Sequence, residues 1–417
     1  MKQILKQTSW LIIAQLLTKV IGFFYTIFLA KSLGVEDFGL YTVAFAYFSI
    51  LSAVADFGFN RFLIREIALG RMNSHQLLWN TMILRITISS VLFAVFAITL
   101  YLTDSDSFRV NLILLSTLAI LPQTIGLTFD GIFIAMKKLQ FSSFILFIST
   151  IAMSFLGYLL LNSGFGVVGA INALIFGQLV YASAAFILIG FTQGLHSLKI
   201  ELPILKEAIV GSLPYGLLGI LGLLYFRIDS IILSYLKGSF ETGIYGAAYR
   251  FLETIIFIPS AFAAALFPSM AQLQTQQNKT QLKSLYFKSV KLMAFLGIIF
   301  LAGYFFILPE IIKKYLPNYI LAIDAIKILS LSIPFIFIAT PGVQVLLSTE
   351  KYLKSVLFFS VLTLFLNVML NLIFIPQFGY IAASWITVFS DITSFIIFFL
   401  MINFYIFTPL SGASKKS

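Results

Sequence analysis

Leu33-Gly34-Val35-Glu36-Asp37-Phe38-Gly39-Leu40-Tyr41 closes one long apolar run and opens the next. Lys237-Gly238-Ser239-Phe240-Glu241-Thr242-Gly243-Ile244-Tyr245 does the same at an offset of 204, taking Gly34 to Gly238. Both stretches read as a glycine turn, an acidic residue and then Gly-x-Tyr leading into a helix. Glycine fits such a turn because it enters left-handed backbone conformations at little cost. A second pair follows in the same order. Phe165-Gly166-Val167-Val168-Gly169-Ala170 matches Phe378-Gly379-Tyr380-Ile381-Ala382-Ala383 at an offset of 213, and the same offset takes Lys138 to Lys351. Three landmarks in one order at nearly one offset mark an internal duplication, with halves at 1–200 and 201–417.

What is duplicated is almost continuously hydrophobic. Apolar residues make up 60% of the 417 positions and charged residues only 10%, against about a quarter in soluble domains. Roughly 20 mostly apolar residues cross a bilayer as a helix. The sequence supplies that length at about 10–33, 39–62, 77–101, 109–135, 143–162, 166–190, 208–235, 242–270, 286–308, 319–347, 355–376 and 379–406. The expected fold is an all-α integral membrane protein with about twelve transmembrane helices. Six helices per half is an even number, so each half begins and ends on one side. The halves are then parallel repeats related by a pseudo-twofold along the membrane normal. In transporters, such repeats place the substrate between them near mid-depth and alternate its access.

Charge orients the bundle. Most lysines and arginines fall on the side of the termini, among them Lys2, Lys6, Arg65, Arg71, Lys137, Lys138, Lys199, Lys206, Lys279, Lys283, Lys288, Lys291, Lys351, Lys354, Lys415 and Lys416. Only Lys31, Arg109, Lys237, Lys313 and Lys314 fall opposite. Basic short loops stay cytoplasmic, so both termini are expected in the cytoplasm. The net charge of +11 is mostly this topogenic signal and gives no reason to expect a nucleic-acid partner. The first apolar run is too long for a signal peptide and more spans follow. A polar stretch at 271–285 reads as a cytoplasmic connector whose lysines rest on anionic headgroups.

Ionisable residues at membrane depth are costly and normally face the bundle interior or a wet cavity. The cations inside spans are Lys19, Arg85, Arg227, Arg250 and Lys327; the acids are Asp56, Asp130, Asp229, Glu253, Asp324 and Asp391. Arg250 with Glu253, and Asp324 with Lys327, are three residues apart and should meet on one helix face. Arg227 and Asp229 point to different sides, so their partners are expected on other helices. Lys19 and Arg85 have no acid within helical reach, which makes them the sharper substrate candidates. Asp56 and Asp391 lack a local cation and are candidates for binding H+ or Na+ in a coupling step, although Asp56 sits where it would also cap a helix end. In-span amides supply hydrogen bonds suited to sugars or to neighbouring helices, and Asn367 and Asn371 share one face at i, i+4. Pro334, Pro341 and Gly342 mark a bend in the tenth span.

Leu33 to Tyr41, continuing through Asp56-Phe57-Gly58 to Arg65-Glu66, resembles the amino-terminal signature of bacterial polysaccharide-biosynthesis flippases. So does Arg227-Ile228-Asp229-Ser230-Ile231-Ile232 with Gly243-Ile244-Tyr245-Gly246-Ala247-Ala248-Tyr249-Arg250. These proteins belong to the multidrug/oligosaccharidyl-lipid/polysaccharide exporter superfamily. The resemblance implies a multidrug-and-toxin-extrusion-like fold of two lobes around a central cavity. It implies that an undecaprenyl-diphosphate-linked oligosaccharide crosses the bacterial inner membrane there, for O-antigen, capsule or exopolysaccharide. Superfamily flippases line the cavity with basic residues from the early helices and from the eighth; Lys19 and Arg250 match by position, and Arg61 less closely. The implied partners are that lipid-linked oligosaccharide, membrane lipids and other polysaccharide-assembly proteins, with the protein itself a monomer.

The chemistry of the candidates agrees. Arginine meets phosphate oxygens bidentately and lysine as a point charge, so the basic in-span residues suit a diphosphate. Two other readings compete. A multidrug or organic-cation antiporter of the same superfamily should carry acids and aromatics in its cavity. A membrane-embedded polysaccharide polymerase or ligase usually needs a large outward loop, and none of the predicted loops is long. There is no phosphate-binding Gly-rich loop for direct ATP use. With no cysteine and with His75 and His196 alone in loops, neither a metal cofactor nor an enzyme nucleophile is indicated.

Overall fold

A computed structural model describes residues 2–72, 74–193, 200–348 and 350–407; His196, Lys199, Lys415 and Lys416 lie outside them. Within hydrocarbon every peptide group must find its hydrogen bond inside its own segment, which selects helices. The described residues are accordingly helical, and no strand occurs among them.

The unit-one helices are α1 (Lys2–Asp56), α2 (Phe59–Ala68), α3 (Ser74–Thr103), α4 (Ser107–Thr117), α5 (Ile120–Ala135), α6 (Leu139–Asn162) and α7 (Gly166–Gln193). There follow α8 (Leu202–Thr275), α9 (Lys279–Ala302), α10 (Leu308–Tyr315), α11 (Ala322–Ser330), α12 (Ile333–Leu347) and α13 (Leu353–Ile402). At 1.5 Å per residue, a straight α8 would run about 110 Å, far beyond a hydrocarbon core of about 30 Å. It does not run straight. Gly238 (φ 84°, ψ −176°) breaks α8, Gly34 (φ 73°, ψ −178°) breaks α1 and Gly379 (φ 56°, ψ −138°) breaks α13. Among the described residues, eight helical runs are long and apolar enough to cross a membrane, or nine with the pair α11 and α12, which is bent by 41°. Splitting three of them at their glycines gives the expected twelve spans among the described residues. The protein is a multi-pass membrane protein.

By contacts the chain forms two compact units, Met1–Ser234 and Tyr235–Ser417. The first arm of α8 therefore goes with unit one, whereas the repeat places it at the head of the second half. Its attachment is direct. Gly58 opens α2 at φ 81° against the backbone of Tyr215 and Gly216, and a Cβ on Gly216 would stand 2.7 Å from the Phe57 carbonyl carbon. Unit one packs Phe59, Phe62, Leu77, Leu78, Phe129 and Phe133 from α2, α3 and α5 into one core. Phe48, Leu51, Ala119 and Leu174 form a second. Unit two centres on Met270, Leu282, Tyr286, Val345, Val356 and Ile402. In lipid such contacts hold through shape more than through exclusion of water.

The duplicated landmarks recur as structure. Gly34 and Gly238 share one backbone conformation. Asp37 and Glu241, one repeat apart, stand at corresponding helix starts. The Asp37 carboxylate lies 3.8 Å from where a Cβ on Gly166 would be, and the backbone N–H of Tyr380 donates to Glu241 Oε2 at 2.9 Å. A carboxylate at a helix amino terminus meets the positive end of the helix dipole.

Two local expectations change. The polar stretch at 271–285 is mostly helical, because α8 continues to Thr275 and Asn278 caps α9 by accepting from the Gln281 N–H at 3.1 Å. The bend of the tenth span falls between Ser330 and Ile333, ahead of Pro334, while Pro341 lies inside α12.

At Gly379 a side chain would need positive φ and would collide with the Glu241 carboxylate. Gly379→Ala is expected to destabilise unit two by about 1–3 kcal/mol, seen as a lowered thermal midpoint of the purified protein. Gly219→Ala, where a Cβ meets nothing within 4 Å, should leave the midpoint unchanged.

Candidate functional site

In unit one the charge buried deepest is Arg85 on α3, with no exposed surface. Its Nη1 donates to Thr128 Oγ1 on α5 at 2.9 Å, and its Nη2 pairs with the carboxylate of Asp56 at the end of α1. The Thr128 hydroxyl donates in turn to the Thr124 carbonyl at 2.8 Å. Two residues further, buried Asp130 accepts from the Tyr181 hydroxyl of α7 at 2.9 Å. These polar groups tie α1, α3, α5 and α7 together.

This corrects two expectations. Arg85 is not a cation without an acid, and with its whole side chain enclosed it presents no surface to a headgroup. Asp56 does have a cation, delivered from another helix, and so is not a lone ion-coupling acid. Local spacing could not show the pair, since 29 residues separate its members.

The other unit-one cations are more open. Arg227, on the first arm of α8, is half-buried with its guanidinium 5.1 Å from the centroid of the Phe45 ring on α1. A contact on another helix was expected, and the Phe45 ring of α1 is one such contact. Lys19 is exposed on α1, and Arg61 is exposed on α2. Beside Arg61, buried Glu66 draws Arg65 and Arg71 to 4.0 and 3.8 Å, and Arg65 also donates to the Tyr215 hydroxyl at 3.2 Å.

In unit two Arg250 and Glu253 meet as expected, at 3.2 Å and half-buried. Asp324 and Lys327 do not. Asp324 is exposed in the first turn of α11, while the Lys327 ammonium lies 5.5 Å from the centroid of the Phe305 ring. Asn367 and Asn371 share a face as expected, but it is a packed one, with 1% and 0% of their surfaces exposed. The Asn371 amide donates to the Asn367 carbonyl and side-chain oxygens at 3.0 Å, and the Asn367 amide donates to Ser390 Oγ at 3.2 Å. They join the two arms of α13 and are not open to a sugar. Asp391 is half-buried on the second arm. Leu370, Phe374, Trp385 and Phe389, from both arms of α13, line an apolar groove of about 450 Å³. It suits hydrocarbon and offers nothing to a phosphate. Among the described residues no cluster of acids and histidines is suited to a metal ion.

Removing one member of a buried ion pair leaves the other uncompensated, at about 3–5 kcal/mol. Arg85→Met is therefore expected to lower the thermal midpoint strongly, and adding Asp56→Asn should restore most of the loss. A double-mutant cycle on the purified protein measures this. A loss in the double variant equal to the sum of the two single losses would show that the pair carries no coupling.

The family described as polysaccharide biosynthesis protein matches residues 4–274, and the MatE family matches residues 214–373. No curated protein matches the sequence. Among solved structures, the fold is similar to an inward-facing multidrug resistance MATE-family transporter of the MOP superfamily. That likeness has a TM-score of 0.73 and 16% identity, covering 93% of this chain and 94% of the other. A MOP-superfamily transporter from Pyrococcus furiosus, noted for a binding pocket of reversed polarity, matches with a TM-score of 0.69 and 16% identity over 97% and 95%. An outward-facing MATE-family transporter gives 0.67 and 17% over 97% and 95%. With well over half of its length matched, the chain belongs to the polysaccharide biosynthesis protein family, and it has the fold of the MOP-superfamily transporters.

Proposed function

We propose that this protein is a flippase carrying a polyprenyl-diphosphate-linked oligosaccharide across the bacterial inner membrane by alternating access, with both termini in the cytoplasm. The observation that carries the proposal is that most of the cations inside the spans of this polysaccharide-biosynthesis family member keep accessible surface. Lys19, Arg227, Arg250 and Lys327 are at least partly accessible, while Arg85 is withdrawn into its pair with Asp56. A diphosphate cannot enter hydrocarbon without compensation, and half-buried cations supply it where water is scarce. The lipid tail needs no protein passage, because the apolar surfaces of the spans already face its own medium.

A cation extruder on the same fold is the second reading, favoured by the structural likeness to multidrug transporters. Accessible lysine and arginine inside the spans oppose a positively charged cargo. The Pyrococcus furiosus transporter is described with a pocket of reversed polarity, which speaks for variation of pocket charge on this fold. Outward connections such as Asp104–Asp106 and Leu316–Leu321 are only a few residues long, which leaves no outward domain for a polymerase or ligase among the described residues. Asp391 remains the proposed H+ or Na+ site; Asp56 does not.

Lys19→Ala and Arg250→Ala each remove a charged donor, worth about 1.5–3 kcal/mol in such a hydrogen bond. Each is expected to cut surface glycan in a complemented deletion strain, and flipping of a fluorescent lipid-linked oligosaccharide in proteoliposomes, about tenfold or more. Undiminished flipping in both variants would remove the diphosphate reading. Loss of resistance to organic cations, with glycan intact, would establish the extruder instead.

A further inference from the structure

After α9 the helical ladder widens into a π-turn at Gly303–Ile307 before α10 begins. Such turns are rare, are held at a cost in backbone geometry, and recur at functional sites. This one aims two consecutive side chains at two different helices. The Tyr304 hydroxyl donates to the Phe251 carbonyl at 2.7 Å, on the residue that directly follows Arg250. The Phe305 ring lies under the Lys327 ammonium of α11 at 5.5 Å. A single dipeptide thereby registers the helix bearing Arg250 against the helix bearing Lys327.

Lys327 is half-buried, and among the described residues no carboxylate, hydroxyl or carbonyl accepts a hydrogen bond from its ammonium. Asp324, one turn away, is exposed and does not pair with it. A ring face attracts a cation but accepts none of its three N–H donors in the manner of an oxygen. A half-buried ammonium seated on a ring, with no protein oxygen accepting from it, can direct its N–H donors to an anionic ligand.

We propose that the π-turn is a positioning element for an anion subsite in unit two, where Lys327, seated on Phe305, receives phosphate oxygens of the lipid-linked diphosphate on the Arg250 side of the bundle. The subsite rests on the flippase reading above and adds Phe305 and Tyr304 to it, as the residues that place Lys327. Phe305 and Tyr304 act through Lys327 and the neighbouring helix, so they are positioning residues and need not touch the ligand.

The test uses the full-length protein in phosphatidylcholine nanodiscs, with thermal midpoints recorded for every variant. The probes are undecaprenyl diphosphate, phosphatidylglycerol and undecaprenol, with binding read by native mass spectrometry. Lys327→Gln and Phe305→Leu are expected to weaken diphosphate binding about tenfold, the scale of one charge-assisted contact. Lys327→Arg and Phe305→Trp, which keep the charge and the ring, should retain it, and undecaprenol binding should not change. Diphosphate binding within twofold of wild type in Lys327→Gln overturns the subsite while leaving the flippase reading standing. So does a loss that Phe305→Trp shares with Phe305→Leu. Lys327-dependent binding of phosphatidylglycerol that equals that of the diphosphate overturns the assignment to substrate in favour of an ordinary lipid headgroup. Failure of the wild type to bind undecaprenyl diphosphate at all removes the flippase reading, and the subsite with it.

Discussion

Hydrocarbon neither hydrogen-bonds a peptide group nor solvates a charge, and most of this structure follows from that one deficiency. It forces the backbone into helices and confines changes of direction to residues that can turn sharply. Gly34, Gly238 and Gly379 supply those turns at positive φ. It also means that each in-span ionisable residue needs a local answer, and the answers differ enough to sort the residues by role.

Arg85 shows one answer. Its guanidinium is matched by Asp56 and Thr128 and has no exposure left. A charge paired and enclosed in this way ties helices together and cannot serve a ligand unless the pair opens. Arg250 shows an intermediate one: paired with Glu253 at 3.2 Å but only half-buried, it keeps donor capacity, since a guanidinium has five N–H groups. Lys19 and Arg61 stay exposed and depend on whatever medium surrounds them.

The sequence made legible whatever depends on local spacing. Span number followed from length and hydropathy, and the duplicated glycine turns followed from an offset that two glycines share down to their backbone angles. The Arg250–Glu253 pair was visible as neighbours on one helix face. Pairing across helices was not, because Arg85 finds Asp56 through tertiary packing that no periodicity encodes. Asn367 and Asn371 were rightly placed on one face, yet hydropathy cannot tell a face turned to a cavity from a face turned to another helix arm. Asp324 and Lys327 have the right spacing but diverge, since the Phe305 ring of a neighbouring helix competes for the ammonium. The π-turn that brings this ring into place leaves no compositional mark at Gly303–Ile307 beyond a glycine among aromatics.

That competition bears on transport itself. A translocation site must hold its cargo strongly enough to take it from the membrane surface and weakly enough to release it on the far side. A carboxylate seat cancels a cation's charge, so an incoming phosphate must displace it. An aromatic seat steadies the cation while leaving its charge and its N–H donors available. Among the in-span cations of unit two, Lys327 over Phe305 has such a seat. Arg85 lies at the opposite extreme, neutralised and enclosed. The same membrane constraint thus yields structural charges where an acid is supplied, and charges fit for an anionic cargo where a ring is supplied in its place.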